Sequence, residues 1–370
     1  MDAALAGPVL CPNVWPYRLS EAGLAAYLQD AKAALSAGRF RALDGWSQQV
    51  CDLVHEAIRL PESWTVLPLR TGTDGLMLAL KASGVKPGDT VAVPDMAFEA
   101  VASAVLRIGA QPVWLDLDER QWNLTETALA SSLDRTRKPK AVIAVDNFGS
   151  PCDWQGIGAF CREEQIRLIL DSCESLGACH PEGPPSQYAD LVVTSFSFSK
   201  PIHAAGAGGA LCGPNDLIEA IRPRPEFGTW QCRLPELNAA FLVHAWPDLP
   251  GAVQHLNDIY RRYRAGLEEL GAVAQEPLKG ATASPIFAPF RLPAEWGEGP
   301  SELRQWLRRQ GIEARRAFPL QSARFGLGDG RPTAARLYEE VVCLPTGTAM
   351  PLEWVDRVVE ALVGWKPSAR

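Results

Sequence analysis

At 370 residues and a formal net charge of −7, the chain is long for one compact core and has the wrong sign for a nucleic-acid or anionic-membrane partner. Its 47% hydrophobic and 21% charged content are those of an ordinary globular protein, and no apolar run approaches the ~20 residues that span a bilayer. Nine cysteines without paired spacing, and a start with no basic segment ahead of an apolar one, point to reduced thiols in a cytoplasmic protein. Cys173 and Cys179 stand apart from other ligand types, so they read as buried structural thiols and no metal site is expected.

Residues 1–60 read as two helices, "AGLAAYLQDAKAALSAG" and "SQQVCDLVHEAIRL", joined by the turn-rich "FRALDGW". Strand-like runs then alternate with amphipathic helices. "TVLPLR" leads into "DGLMLALKASG", "TVAVP" into "AFEAVASAVLRIG", "QPVWLDL" into "TETALASSL" and "KAVIAVD" into "WQGIGAFCREEQ". "IRLILD" and "ADLVVTSFSF" follow, and then the loose run "PIHAAGAGGAL". Such alternation predicts an α/β protein with a mostly parallel, doubly wound sheet, whose ligands sit beyond the carboxyl ends of the strands. After Pro250 a long helix, "GAVQHLNDIYRRYRAGLEEL", connects to a mixed remainder. The expected division is a large domain over 1–250 and a small C-terminal α/β domain over 251–370. "PLKGATASPIFAPFRLPAEWGEGP" reads as loops around an edge strand.

Three strand ends hold candidate chemistry. "RTGTDG" opens a helix, and the N–H groups of Thr73 and Asp74 could cup a phosphate, although a plain helix cap explains the same residues. Asp171 follows a buried run, where a carboxylate needs a partner, or simply caps a loop. Lys200 ends the "SFSFSK" alternation; alone it reads as a solvated charge, whereas a desolvated lysine forms a Schiff base with an aldehyde. Ser195 could reach the same phosphate. Cup, carboxylate and lysine together meet the needs of pyridoxal 5′-phosphate.

In order, "TGTDGLMLAL", "GVKPGDTVAVPDMAFEAVASAVLRIGAQPVWLDLD", "NFGSPCD", "DSCESLG", "SFSFSK", "GAGGAL" and "RLPELNAAF" resemble the DegT-like family of fold-type I pyridoxal-phosphate enzymes, which includes sugar aminotransferases and aminohydroxybenzoate synthases. The resemblance implies that Lys200 binds the cofactor as a Schiff base and moves the proton, and that Asp171 pairs with the ring nitrogen. It also implies that Thr73, Asp74 and Ser195 hold the phosphate and that Phe98 stacks on the ring. Glu174 stands where the family usually has Gln or His, touching the phenolic oxygen. Gln231 stands where it usually has Asn, reaching the phosphate across a dimer interface. The loop after the lysine, "AGAGG", lacks the family's glutamate, and Ala317 and Phe318 replace a His and a Tyr of nucleotide-sugar members.

The function so implied is amination of a ketone on a sugar, cyclitol or similar intermediate, with an amino-acid donor such as glutamate. It would serve a secondary-metabolite or glycan pathway, in a homodimer whose sites are shared through Gln231 and the loop Phe40–Trp46. A smaller ketone without a nucleotide is the expected acceptor. A dehydratase of the same family, or a non-catalytic regulatory member, are the other readings. Arg315, Arg316, Arg324 and Arg331 cluster in the C-terminal part, as solvated or structural charges or as holders of a substrate carboxylate or phosphate.

Overall fold

A computed structural model describes residues 10–38, 45–134, 138–221, 232–293, 296, 299–328 and 330–365. Gln231 and residues 40–44 lie outside the described residues. The N-terminal helices are α1 (Glu21–Ser36) and α2 (Trp46–Ala57). The strands are β1 (Trp64–Leu69), β2 (Thr90–Pro94), β3 (Gln111–Leu115), β4 (Ala141–Val145), β5 (Arg167–Asp171), β6 (Leu191–Ser195) and β7 (Gly209–Pro214). They form one sheet in the order β1-β7-β6-β5-β4-β2-β3. β2 to β6 run parallel, whereas β7 lies antiparallel to both of its neighbours.

Runs such as "AVIAV" in β4 are buried throughout because both faces of the sheet are covered. Successive residues enter different cores: Leu168 and Leu170 pack into one cluster and Ile169 into the other. α3 (Gly72–Ala82) and α4 (Ala100–Arg107) cover one face, while α5 (Glu126–Ser132) and α6 (Trp154–Glu163) lie toward the other. Side chains cap the helix starts: Thr125 Oγ1 accepts from Ala128 N, and Asp153 Oδ1 from Gly156 N.

β7 corrects the loose run expected after Lys200. Its glycines and alanines have little strand propensity, but β1 and β6 pair with it on both sides. β6 ends at Ser195, so Lys200 does not end a strand. It lies in the following turn, where its N–H donates to Ser197 O at 3.0 Å.

A second, antiparallel sheet has the order β10-β11-β9-β8, from β8 (Val273–Ala274), β9 (Ala288–Arg291), β10 (Arg315–Arg316) and β11 (Val341–Leu344). β9 is therefore interior and not an edge, because β11, some 50 residues on, pairs along its other side. The helices Leu249–Glu268 and Glu353–Val363 cover this sheet through Ile259, Tyr263, Val355 and Val358. Cys11 joins that core, and Cys11 and Val14 bridge to Ile312 and Thr346. Among the described residues no helix is long and apolar enough to cross a membrane, and no cluster of potential ligands could hold a metal ion.

Candidate active site

The site lies beyond the carboxyl ends of β5 and β6, where α3 begins. Thr71 starts that helix: its Oγ1 accepts the Asp74 N–H at 3.0 Å and donates to Asp74 Oδ2 at 2.8 Å. The Asp74 amide, expected to be open, is thus engaged by Thr71, and Arg70 Nε lies 3.7 Å from the same carboxylate. The amides of Gly72 and Thr73 remain without an intrahelical acceptor. Gly72 is required where it stands, since a Cβ would come within 2.7 Å of Cys173 Sγ and 3.4 Å of Ser195 Cβ. Ser195, Thr73 and Asp74 are therefore neighbours around one helix start.

Three buried charged groups face the same space. Lys200 is 9% exposed, Asp171 5% and Glu174 4%. Asp171 Oδ1 accepts from Cys173 N at 3.0 Å. Burial pushes the Asp171 carboxyl above its ordinary range, against the lowering effects of Cys173 and the Lys200 charge. Burial likewise raises Glu174 to about 7, opposed by Lys200, by the Phe148 N–H at 2.7 Å and by Arg315. That N–H is aimed by a turn in which Phe148 has φ 62° and Gly149 φ 86°. A side chain at position 149 would collide with Ser284 O, 1.9 Å from its Cβ.

Phe98 lies just ahead of α4 and is 52% exposed. It meets Phe318 edge-on at 6.2 Å, and Phe318 stacks on Phe148 at 5.2 Å. The two positions that depart from the nucleotide-sugar signature, Ala317 and Phe318, therefore belong to an apolar wall. Cys173 and Cys179 depart from the expected burial: Cys173 is half-buried at the site and Cys179 exposed, because each follows β5 in loop rather than in core.

Two carboxylates passed over in the sequence organise these loops. Asp95 is fully buried and accepts from Ser322 N (2.8 Å), Ser322 Oγ (3.0 Å) and Arg331 N (2.8 Å), tying residues 317–331 to the end of β2. Asp146 accepts from Cys152 N, Trp154 Nε1, Ser172 Oγ and Ser175 Oγ, joining the loops after β4 and β5. Each directly follows a buried apolar run, the signal that singled out Asp171.

Residues 61–363 match the DegT/DnrJ/EryC1/StrS aminotransferase family. The chain belongs to that family. It is 29% identical over 310 residues to the UDP-N-acetyl-3-dehydro-alpha-D-glucosamine 3-aminotransferase of Acidithiobacillus ferrooxidans, covering 79% of this chain and 82% of the relative. It is also 29% identical over 336 residues to the L-glutamine:scyllo-inosose aminotransferase of Streptomyces griseus, covering 80% and 76%. The solved structure of the aminotransferase TlmJ from Streptoalloteichus hindustanus superposes with a TM-score of 0.84 at 26% identity, covering 96% of this chain and 99% of that one. The protein is accordingly a pyridoxal-phosphate-dependent aminotransferase that converts a ketone to an amine. Its residues suit that cofactor: a helix start offers amides to a phosphate, and a buried carboxylate with a raised proton affinity lacks a full cationic partner.

Proposed function

We propose that this aminotransferase aminates the ketone of a sugar or cyclitol, taking nitrogen from an amino acid such as glutamate or glutamine. The observation that carries the reading is the meeting of buried Lys200 and Asp171 beyond neighbouring strands, beside the open amides of α3. Relatives named for a keto-glucosamine and for scyllo-inosose support the acceptor class.

When bound, pyridoxal 5′-phosphate supplies the aldehyde that takes up the donor nitrogen and a ring that accepts electron density. Thr73, Ser195 and the start of α3 hold its phosphate, while Asp74 fixes that start through Thr71. Asp171 would pair with the ring nitrogen and so gain the positive partner its burial demands. Phe98 covers the ring face. Lys200 Nζ would hold the aldehyde and, when free of it, would take and return the substrate proton. Glu174 holds or releases a proton near neutral pH beside it.

The same reading includes a homodimer in which Gln231 and the loop Phe40–Trp46 complete the partner's site, and a large domain over 1–250 with a small one over 251–370. It also includes a cytoplasmic location, no nucleic-acid or membrane partner, and a biosynthetic role in secondary metabolites or glycans. The apolar Ala317 and Phe318 favour an acceptor without a nucleotide.

Purified holoenzyme with L-glutamine or L-glutamate should aminate scyllo-inosose in preference to a nucleotide-linked 3-keto-sugar, followed by mass spectrometry of the product. Lys200→Ala should lower turnover by at least about 10⁴-fold. Unimpaired turnover in that variant would sink the assignment of the lysine, and exclusive use of the nucleotide sugar would sink that of the acceptor.

A further inference from the structure

Four arginines crowd residues 315–331: Arg316 and Arg324 pair with carboxylates, whereas the side chains of Arg331 and Arg315 are held by uncharged acceptors. Arg316 pairs with Glu339 at 3.2 Å, donates to Ser301 Oγ at 3.0 Å and lies 5.0 Å over the Tyr338 ring. Arg324 pairs with Glu99. Arg331 donates from Nε to Trp114 O at 2.8 Å and from its backbone N–H to Asp95.

Arg315 differs. It neighbours Arg316 on β10, so the two side chains leave opposite faces of the sheet. Its Nε donates to Asn13 Oδ1, and its guanidinium carbon lies 5.1 Å over the Phe287 ring. Asn13 is itself buried and donates to Cys343 O at 3.1 Å. One edge and one face of the guanidinium are thereby fixed. Among the described residues no carboxylate lies within ion-pair distance of it, and its remaining N–H groups have no protein acceptor. Phe287 packs edge-on against Phe318 at 5.3 Å, which places Arg315 next to the aromatic wall of the site. Arg315 also lies close enough to Glu174 to oppose its protonation, as Lys200 does.

A half-buried, oriented guanidinium with its fork unused is the geometry that receives a planar carboxylate through two parallel hydrogen bonds. We propose that Arg315 binds a substrate carboxylate, either the α-carboxylate of the amino-acid donor or that of a carboxylated acceptor. The inference rests on the transamination reading. Lysine at 315 would keep the charge but lose the fork.

Holoenzymes of wild type, Arg315→Gln and Arg315→Lys are to be compared in each half-reaction, followed by cofactor absorbance. The donor arm uses L-glutamate and L-glutamine against their α-amides. The acceptor arm uses the aminated cofactor form with a keto-uronate against its neutral keto-sugar counterpart. If the donor supplies the carboxylate, wild type should prefer free acid over amide by about 10- to 100-fold, Arg315→Gln should lose the preference, and the acceptor arm should not change. If the acceptor supplies it, the pattern reverses between the arms. Should Arg315→Gln fail to fold, Arg315→Lys decides, with at least about a fivefold loss of preference expected in one arm. An active wild type whose preferences survive in every folded variant, or that shows no preference in either arm, overturns this inference alone. A wild type inert toward every donor overturns transamination, and the inference with it.

Discussion

Beyond β5 and β6, Asp171, Glu174 and Lys200 are buried charges with few neutralising contacts of their own. Across the opening, Phe318 offers an aromatic ring, while Arg324, the Ser322 amide and Arg331 are tied to Glu99, Asp95 and Trp114. In the first region charge is left incompletely satisfied, and in the proposed function a bound group would complete it. In the second, Arg324, the Ser322 amide and hydroxyl and the Arg331 amide find partners within the protein, and Phe318 adds an aromatic surface. On the proposed function, the chemistry would be carried by short segments anchored in the sheet, and recognition by a longer segment pinned at a few points. On that reading the second should be able to change without disturbing the first.

That contrast can be broken at either side. Asp171→Asn should lower turnover by about 10²- to 10³-fold with the cofactor retained, because a neutral amide cannot balance a positive ring nitrogen while the start of α3 still holds the phosphate. Turnover and cofactor stoichiometry measured together check this; near-normal turnover would count against the role given to Asp171.

Asp95→Asn attacks the recognition side. The amide turns a donor toward Ser322 and Arg331, so residues 317–331 loosen. We expect the acceptor KM to rise about tenfold or more, with the donor half-reaction within about twofold of wild type. Equal losses in both half-reactions would show that the two regions are not separable.

Glu174 gives the smallest effect, and one that depends on pH. Its ordinary value is 4.5, and burial raises it to about 7 in the folded chain. Between those values the folded state holds a proton that the unfolded state has released. Stability therefore falls as pH rises from about 4.5 to about 7, and the full penalty stands above that. Glu174→Gln removes the ionisable group and keeps an oxygen for the Phe148 N–H. Denaturant unfolding of the cofactor-free protein should show the variant more stable at pH 8 by about 1–3 kcal/mol, with the gain vanishing toward pH 4.5. The same gain at both pH values would mean that packing, not proton affinity, separates the two side chains.

The strands that lead to Asp171 and Lys200 were legible because a sheet covered on both faces needs continuous apolar runs, and a charge close after such a run stands out. Asp95 and Asp146 carry the same mark in "VPDM" and "VDNF" and were open to the same reasoning. β7 was not legible, since "GALCGP" has weak strand propensity and its conformation comes from two antiparallel partners. Phe98 was read into a helix that begins only at Ala100, because a local pattern does not define where the first turn closes.

By itself, the sequence determined the alternation of buried strands and helices, the glycine turn at the head of α3, and the order in which Thr73, Asp171, Ser195 and Lys200 arrive at the strand ends. Those features depend on neighbours within a few residues, where periodicity and backbone sterics act. The tertiary structure decided that β9 is interior, that Thr71 engages the Asp74 amide, and that Arg315, beside an identical residue with a carboxylate partner, has none among the described residues. Such outcomes depend on which distant side chains arrive at a given point, as Asn13 and Phe287 do at Arg315, and burial and pairing are settled only when the chain has brought them together.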